Sequence, residues 1–360
     1  MHRPTKRKIV VLGGYGAFGS LISEQLSKFA DVVIAGRNQA TGQKFADSIE
    51  AGFSLCDAKN EKSLRNTITG AYIVINTAGL CFPNDYSIPG TCIEEYCHYI
   101  DLADGREYVA GFKELDRLAR ATGVFACTGA STTPAVTHAL ISELRPGFQD
   151  IQSIKIYLSA GNKNQPGVST FESILSYTGV PIRVWNNRQW AKFMGWGLTE
   201  YFEFPAPVGK RIVQLCDVPD LELFPKLFGA DQVIFKAGVE LPIFNIGLLF
   251  LAQLKKRIPQ INLPSIAEPL VRISRLFKKF GSYAGGVLVK MEDKSGKSKT
   301  ISFVTSQNGP HIPTSAAVLL ARKLLGENPP AAGAYPCVGF ISLNDFRNYL
   351  EPFDIKLTSP

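Results

Sequence analysis

At 360 residues and 39.4 kDa, the chain exceeds the roughly 250–300 residues at which one hydrophobic core usually stops growing, so two domains are expected and a single small module is excluded. Hydrophobic residues make up 45%, charged residues 19% and aromatics 11%, which excludes wholesale disorder. The formal net charge of +8 is concentrated between Lys255 and Thr300, where eleven bases face three acids; the balanced remainder argues against a nucleic-acid-binding protein.

In chain order, Arg3, Lys6, Arg7 and Lys8 precede the apolar run Ile9–Leu12 as in a secretory signal, but Gly13-Gly14 ends the run early and no small-residue cleavage site follows. Further runs follow at Val32–Ala35, Phe53–Leu55, Tyr72–Asn76, Tyr99–Leu102 and Val124–Cys127, separated by helical patterns. This alternation predicts six parallel strands with crossover helices. Phe18, Leu21, Ile22, Leu26 and Phe29 recur at three-to-four spacing, as do Val109, Phe112, Leu115, Leu118 and Ala119, so both segments read as helices packing one face on the sheet.

Gly14, Gly16 and Gly19 form G-x-G-x-x-G directly after the first strand and before the first helix, with Tyr15, Ala17 and Phe18 between them. In that position Gly14 permits the tight turn, Gly16 lets the backbone approach a pyrophosphate, and Gly19 allows the helix to pack on the strand. The phosphate then sits at the helix N-terminus, where free N–H groups and the positive dipole end favour an anion. A dinucleotide is therefore the expected cofactor. An NAD site usually ends its second strand with Asp or Glu for the ribose 2′-hydroxyl. This chain reads Val33-Ile-Ala-Gly-Arg-Asn38 there, and the cationic fork of Arg37 suits a 2′-phosphate, so NADP(H) is expected; a solvated loop arginine is the plainer reading. Asp57 after the third strand is placed for the adenine edge or for a helix cap. Asn76, Ala78 and Gly79 after the fourth would border the adenosine ribose and nicotinamide side.

None of the twelve tyrosines has Lys four residues later, which sets aside the Tyr-x-x-x-Lys mechanism of short-chain dehydrogenases. Asp101 ends the fifth strand, on the edge where open α/β sheets place ligands, and is the leading catalytic candidate, against a helix-capping role. Tyr99 is a second candidate. His311, after Gly309-Pro310, is a third, as an imidazole titrating near neutrality, against a structural histidine.

After Ser131 the alternation ends. A helix over Ala135–Leu144, a strand over Ile151–Ala160, strands at Gly286–Met291 and Thr300–Thr305 joined by a polar turn, and a helix from Pro313 through Leu325 predict a second, α+β domain followed by a further helix. Trp185, Trp190, Phe193, Trp196, Tyr201 and Phe202 read either as domain-core or dimer packing or as lining for an apolar or aromatic substrate. Leu254-Lys-Lys-Arg-Ile and Ile273-Ser-Arg-Leu-Phe-Lys-Lys-Phe280 suit peripheral contact with an anionic membrane through 255–300, or a solvated helix face. No run reaches the roughly 20 apolar residues that a bilayer span needs. The seven cysteines include no Cys-x-x-Cys pair, so no metal site is expected and a reducing, cytoplasmic setting is.

The motifs Gly14-Tyr-Gly-Ala-Phe-Gly19, Cys92-Ile-Glu-Glu-Tyr-Cys-His-Tyr-Ile-Asp-Leu-Ala103, Gly129-Ala-Ser-Thr-Thr-Pro134 and Cys216-Asp-Val-Pro-Asp220 resemble the saccharopine dehydrogenase-like (saccharopine reductase-like) NADP-binding oxidoreductases. The resemblance implies an α/β fold: a Rossmann doubly wound parallel sheet (residues 1–130), an inserted α+β domain for substrate and homodimer contacts (131–310), and a C-terminal segment (311–360) returning to the Rossmann domain. The implied activity is NADP(H)-dependent hydride transfer to or from a C=N, C=O or C=C carbon of a small-molecule substrate in the interdomain cleft. A non-catalytic NADPH-binding sensor or scaffold is the alternative.

Overall fold

The computed structural model describes residues 7–79, 81, 83–164 and 167–359. The chain divides into two compact units, Met1–Ala135 with Pro313–Ser342, and Val136–Ile312 with Leu343–Pro360.

In the first unit β1 (Lys8–Leu12), β2 (Asp31–Gly36), β3 (Gly52–Leu55), β4 (Ile73–Asn76), β5 (His98–Asp101) and β6 (Phe125–Thr128) form one parallel sheet. A seventh strand, Gly333–Pro336, runs parallel to β6, giving the order Gly333–Pro336, β6, β5, β4, β1, β2, β3. β1 carries no polar alternation, because helices cover both faces of such a sheet; Ile9, Val10 and Val11 are completely buried. Helix α1 (Gly19–Ser27) buries Ile22 and Leu26 but leaves Phe18 exposed at its head. The Gly333–Pro336 strand has no apolar run to announce it. It is held by Asp116, which accepts the Ala334 N–H at 3.0 Å and pairs with Arg120 at 2.7 Å.

β1 and β4 lie side by side although two strands separate them in sequence, so the strand order reverses there and a crevice opens at their carboxyl ends. The register puts Leu12 beside both Ala35 and Asn76, and Asn76 beside Asp101. Four of the strand ends that matter for a ligand therefore share one row.

The second unit is built on a nine-stranded mixed sheet, in the order Glu200–Phe204, Gly209–Leu215, Gln232–Val239, Ile151–Ala160, Gly285–Asp293, Ser298–Thr305, Ile355–Thr358, with the hairpin Pro181–Asn186/Gln189–Met194 attached to Gln232–Val239. Ile154, Ile156, Val287, Val289 and Met291 fill its core. The turn between Gly285–Asp293 and Ser298–Thr305 closes on Asp293, whose Oδ1 accepts the N–H groups of Ser295 and Lys297. The expectation placed all of 311–360 with the parallel sheet. Instead, residues 311–312 and 343–360 fall in the second unit, where Ile355–Thr358 completes the edge of the sheet against Ser298–Thr305.

Candidate cofactor-binding site

The turn after β1 is closed by backbone bonds from the Gly13 N–H to the Ala35 carbonyl (2.8 Å), Gly14 to Val11 (3.2 Å) and Gly16 to Gly13 (2.8 Å). The left-handed residue is Gly13, at φ +74°; the sequence reading assigned the turn's demand to Gly14. Gly14 is instead required by packing, since a Cβ there would lie 2.9 Å from the Val11 carbonyl oxygen and 3.0 Å from Ser23 Oγ. Gly19 is tighter still: its Cβ would meet the Gly13 oxygen at 2.2 Å and Thr77 Oγ1 at 2.6 Å. Gly16, Ala17 and Phe18 are exposed.

A bound pyrophosphate needs unsatisfied donors at this corner. The helices beginning at Gln39 and Glu61 have Asn38 and Asn60 accepting from Thr41 and Ser63 as side-chain caps, whereas α1 has no side-chain cap. Among the described residues, the Ala17 and Phe18 N–H groups have no acceptor. The residues present thus fit an anion at the head of α1.

At the end of β2, Arg37 is exposed and has no hydrogen bond or ion pair among the described residues, which leaves its guanidinium available to a 2′-phosphate. Asn38 caps its helix and gives its N–H to the Tyr15 hydroxyl at 2.9 Å. The Tyr15 ring lies so close over Gly36 that a Cβ there would sit 2.5 Å from ring carbon Cε1. Asp57 is also exposed, and its carboxylate accepts the Lys59 N–H at 3.1 Å in a local turn, while Asn60 provides the helix cap.

The ends of β4 and β5 turn inward. Asn76 is buried, donates to the Tyr99 hydroxyl at 3.2 Å and accepts the Ala78 N–H at 3.0 Å; Ala78 is half-buried and Gly79 exposed at φ +87°. Asp101 is completely buried. Its Oδ1 accepts from Thr128 Oγ1 (2.7 Å) and the N–H groups of Ala103 and Gly129 (3.0 Å each), and its Oδ2 from the Tyr108 hydroxyl (3.3 Å). Burial holds its carboxyl above the usual range despite these donors, and burial likewise raises the Tyr99 phenol. Sequence reasoning missed Tyr108 and Thr128, which approach Asp101 only through the fold.

In the second unit, the His311 ring is buried and stacks on Phe353 at 3.8 Å. The aromatic residues singled out above divide among separate contacts. Trp185 meets Trp190 across their hairpin at 5.1 Å, Trp196 is buried beside Tyr177, and Phe202 stacks on Tyr157 at 3.8 Å while its neighbour Tyr201 is 81% exposed.

A parallel sheet in 3-2-1-4-5-6 order, with a glycine corner and an uncapped helix at its switch point, defines a Rossmann-type dinucleotide-binding protein. Residues 9–141 match the family model described as saccharopine dehydrogenase NADP binding domain, which makes this part of the chain an NADP-binding domain of that type with NADP(H) as its cofactor. Among solved structures, apo histidine-tagged saccharopine dehydrogenase (L-Glu forming) from Saccharomyces cerevisiae aligns over 98% of this chain and 100% of that chain, with a TM-score of 0.67 at 11% identity, a likeness of fold. A dehydrogenase (MviM) from Clostridium difficile aligns over 83% of this chain and 80% of that chain, with a TM-score of 0.39 at 10% identity. No curated protein matches the sequence. An NADP-binding domain of this type supports an NADP-dependent oxidoreductase.

Proposed function

We propose that the protein is an NADP(H)-dependent oxidoreductase acting on a C=N, C=O or C=C carbon of a small molecule. The observation that carries this reading is the uncapped head of α1 with free Ala17 and Phe18 amides, beside a guanidinium at Arg37 that no described residue engages. In it, α1 and the exposed backbone from Gly16 to Phe18 hold the pyrophosphate, and Arg37 holds the 2′-phosphate. The bound coenzyme supplies or accepts the hydride, and the protein supplies orientation. Asp101 acts as a positioning residue: its four donors fix the end of β5 and the turn at Gly129, while Tyr99 locks Asn76.

The burial of Asp101, Tyr99 and His311 favours one second reading, a non-catalytic NADPH sensor. Mixing the protein with NADPH and a panel of imines, ketones and enoyl compounds separates the two. Loss of absorbance at the reduced nicotinamide band with any member supports the oxidoreductase; saturable NADPH binding with no turnover on every member supports the sensor. Asp101→Asn tests the positioning role, which predicts altered NADPH affinity and thermal stability together. Unchanged affinity and stability with depressed turnover would instead make Asp101 catalytic.

A further inference from the structure

Helices Pro242–Arg257 and Ala267–Leu276 of the second unit are apolar on two sides. Their inner faces bring Leu248, Leu251, Ala267 and Leu270 into one cluster with the buried Leu175 and Leu263. Their outer faces expose Ile243, Ile246 and Phe250 on the first helix, and Ile273, Leu276 and, just past its end, Phe280 on the second, each set at three- to four-residue spacing. Phe250 is 66%, Leu276 75% and Phe280 61% exposed. Phe244 meets Phe277 edge-on at 5.4 Å, so the start of one helix lies beside the end of the other. Ile243 and Leu276, each next to a residue of that contact, bring the two apolar sets to one end of the pair.

Cations surround this surface. Arg275, Lys278 and Lys279 interleave with Leu276 and Phe280, and Lys256 and Arg257 close the first helix. None of the five has an ion pair among the described residues. The one acid between 242 and 283, Glu268, is paired with Arg272 at 2.6 Å. A second copy packed about a two-fold axis would set this cationic patch against itself. An anionic lipid surface accepts both components, apolar groups into the headgroup–acyl boundary and cations at the lipid charges. Among the described residues no helix is long and apolar enough to cross a membrane, so contact would be interfacial.

We propose that this face docks on an anionic bilayer, with Ile243, Ile246, Phe250, Leu276 and Phe280 entering the interface and Lys256, Arg257, Arg275, Lys278 and Lys279 meeting the headgroups. The surface differs from the stretch 255–300 that charge counting marks. It gains the apolar residues upstream of Lys255 and loses the strand Gly285–Asp293, which is largely buried and whose Lys290 pairs with Glu292 at 2.8 Å.

The test is cosedimentation of the full chain with vesicles of phosphatidylcholine alone and of phosphatidylcholine with phosphatidylglycerol, at low and high salt. Binding to the anionic vesicles only, weakened by salt, is expected. The pair Lys278→Glu with Lys279→Glu should lose about 25-fold or more in affinity, at roughly fivefold per cation, and Leu276→Ser with Phe280→Ser should weaken binding while leaving it salt-sensitive. Urea unfolding followed by tryptophan emission, unchanged in both pairs, reports that the second unit, which holds all three tryptophans, still folds. Equal binding to neutral vesicles, indifference to the charge reversals, or no vesicle binding at all overturns the proposal. A dimer in solution that Leu276→Ser with Phe280→Ser dissolves, without vesicle association, overturns it in favour of a second copy.

Discussion

The Tyr15 hydroxyl accepts the Asn38 N–H at 2.9 Å, tying the phosphate turn after β1 to the cap of the helix that follows β2. The ring spans the same gap over Gly36, so one side chain braces the turn after β1 against the end of β2. Gly36→Ala is expected to displace the ring and weaken NADPH about tenfold; Tyr15→Ala should weaken it as well. In the double variant the losses should fall short of additive by about 0.5 kcal/mol or more, because the clash and the ring vanish together. Fluorescence titration of the four proteins measures this, and strict additivity would remove the ring from the site.

Arg37 is the cation that no described residue engages at this edge. A hydrogen bond to a charged group contributes about 1.5–3 kcal/mol, so Arg37→Ala should weaken NADPH by about ten- to a hundredfold and leave NADH nearly untouched. Equal losses for the two coenzymes contradict the 2′-phosphate assignment.

The glycines divide by what a methyl group would strike. At Gly19 it meets backbone oxygen at 2.2 Å, and at Gly16 the nearest atom is the Gly13 oxygen at 3.1 Å on an exposed turn. Gly19→Ala should therefore cost stability, about 1–3 kcal/mol from overpacking, visible as a lower melting temperature without ligand. Gly16→Ala should melt almost normally and lose NADPH, since the methyl stands where the pyrophosphate approaches. Normal NADPH affinity in Gly16→Ala would place the pyrophosphate elsewhere.

These contrasts also mark what the amino-acid sequence makes legible. The corner was readable because its determinants are local: a strand, three glycines within six residues and a helix impose one geometry on any chain. The roles within it were less so, since the left-handed turn falls at Gly13, which Ala78 crowds from beyond β4, and Gly19 is hemmed in by the Gly13 oxygen and by Thr77 Oγ1. Asn76 reads as a cofactor contact until Tyr99 arrives from 23 residues away and takes its amide. Asp101 likewise reads as a catalytic carboxylate or a helix cap at a strand end, and only the fold brings the Thr128 and Gly129 donors to its Oδ1. The Gly333–Pro336 strand is anchored by Asp116 some 218 residues earlier, a partnership no periodicity encodes. Charge counting found the basic stretch but not its boundaries, because Lys290 is neutralised by Glu292 on its own strand while Ile243 and Phe250 carry no charge to count.

Asp220, in the second unit, makes the protein's pH response testable. The side chain is fully buried; Thr137 donates to its Oδ1 at 2.6 Å, and Oδ2 has no partner among the described residues. Burial pushes the carboxyl up to about 7, the Thr137 bond offsetting part of the effect. An unfolded Asp titrates near 3.9. Below about pH 4 both states are protonated and the full contribution is present; as pH rises toward 7 the unfolded chain has lost the proton that the native one keeps, so stability falls, and it levels off above the native value. The expected fall between pH 5 and pH 8 is about 2–3 kcal/mol, at roughly 1.4 kcal/mol per unit. Asp220→Asn keeps an acceptor for Thr137 and should abolish this component. The readout is specific, because all three tryptophans, Trp185, Trp190 and Trp196, lie in the second unit. Urea unfolding followed by tryptophan emission at the two pH values should show the wild-type midpoint dropping and the variant's holding, and parallel drops in both would assign the pH dependence to other groups.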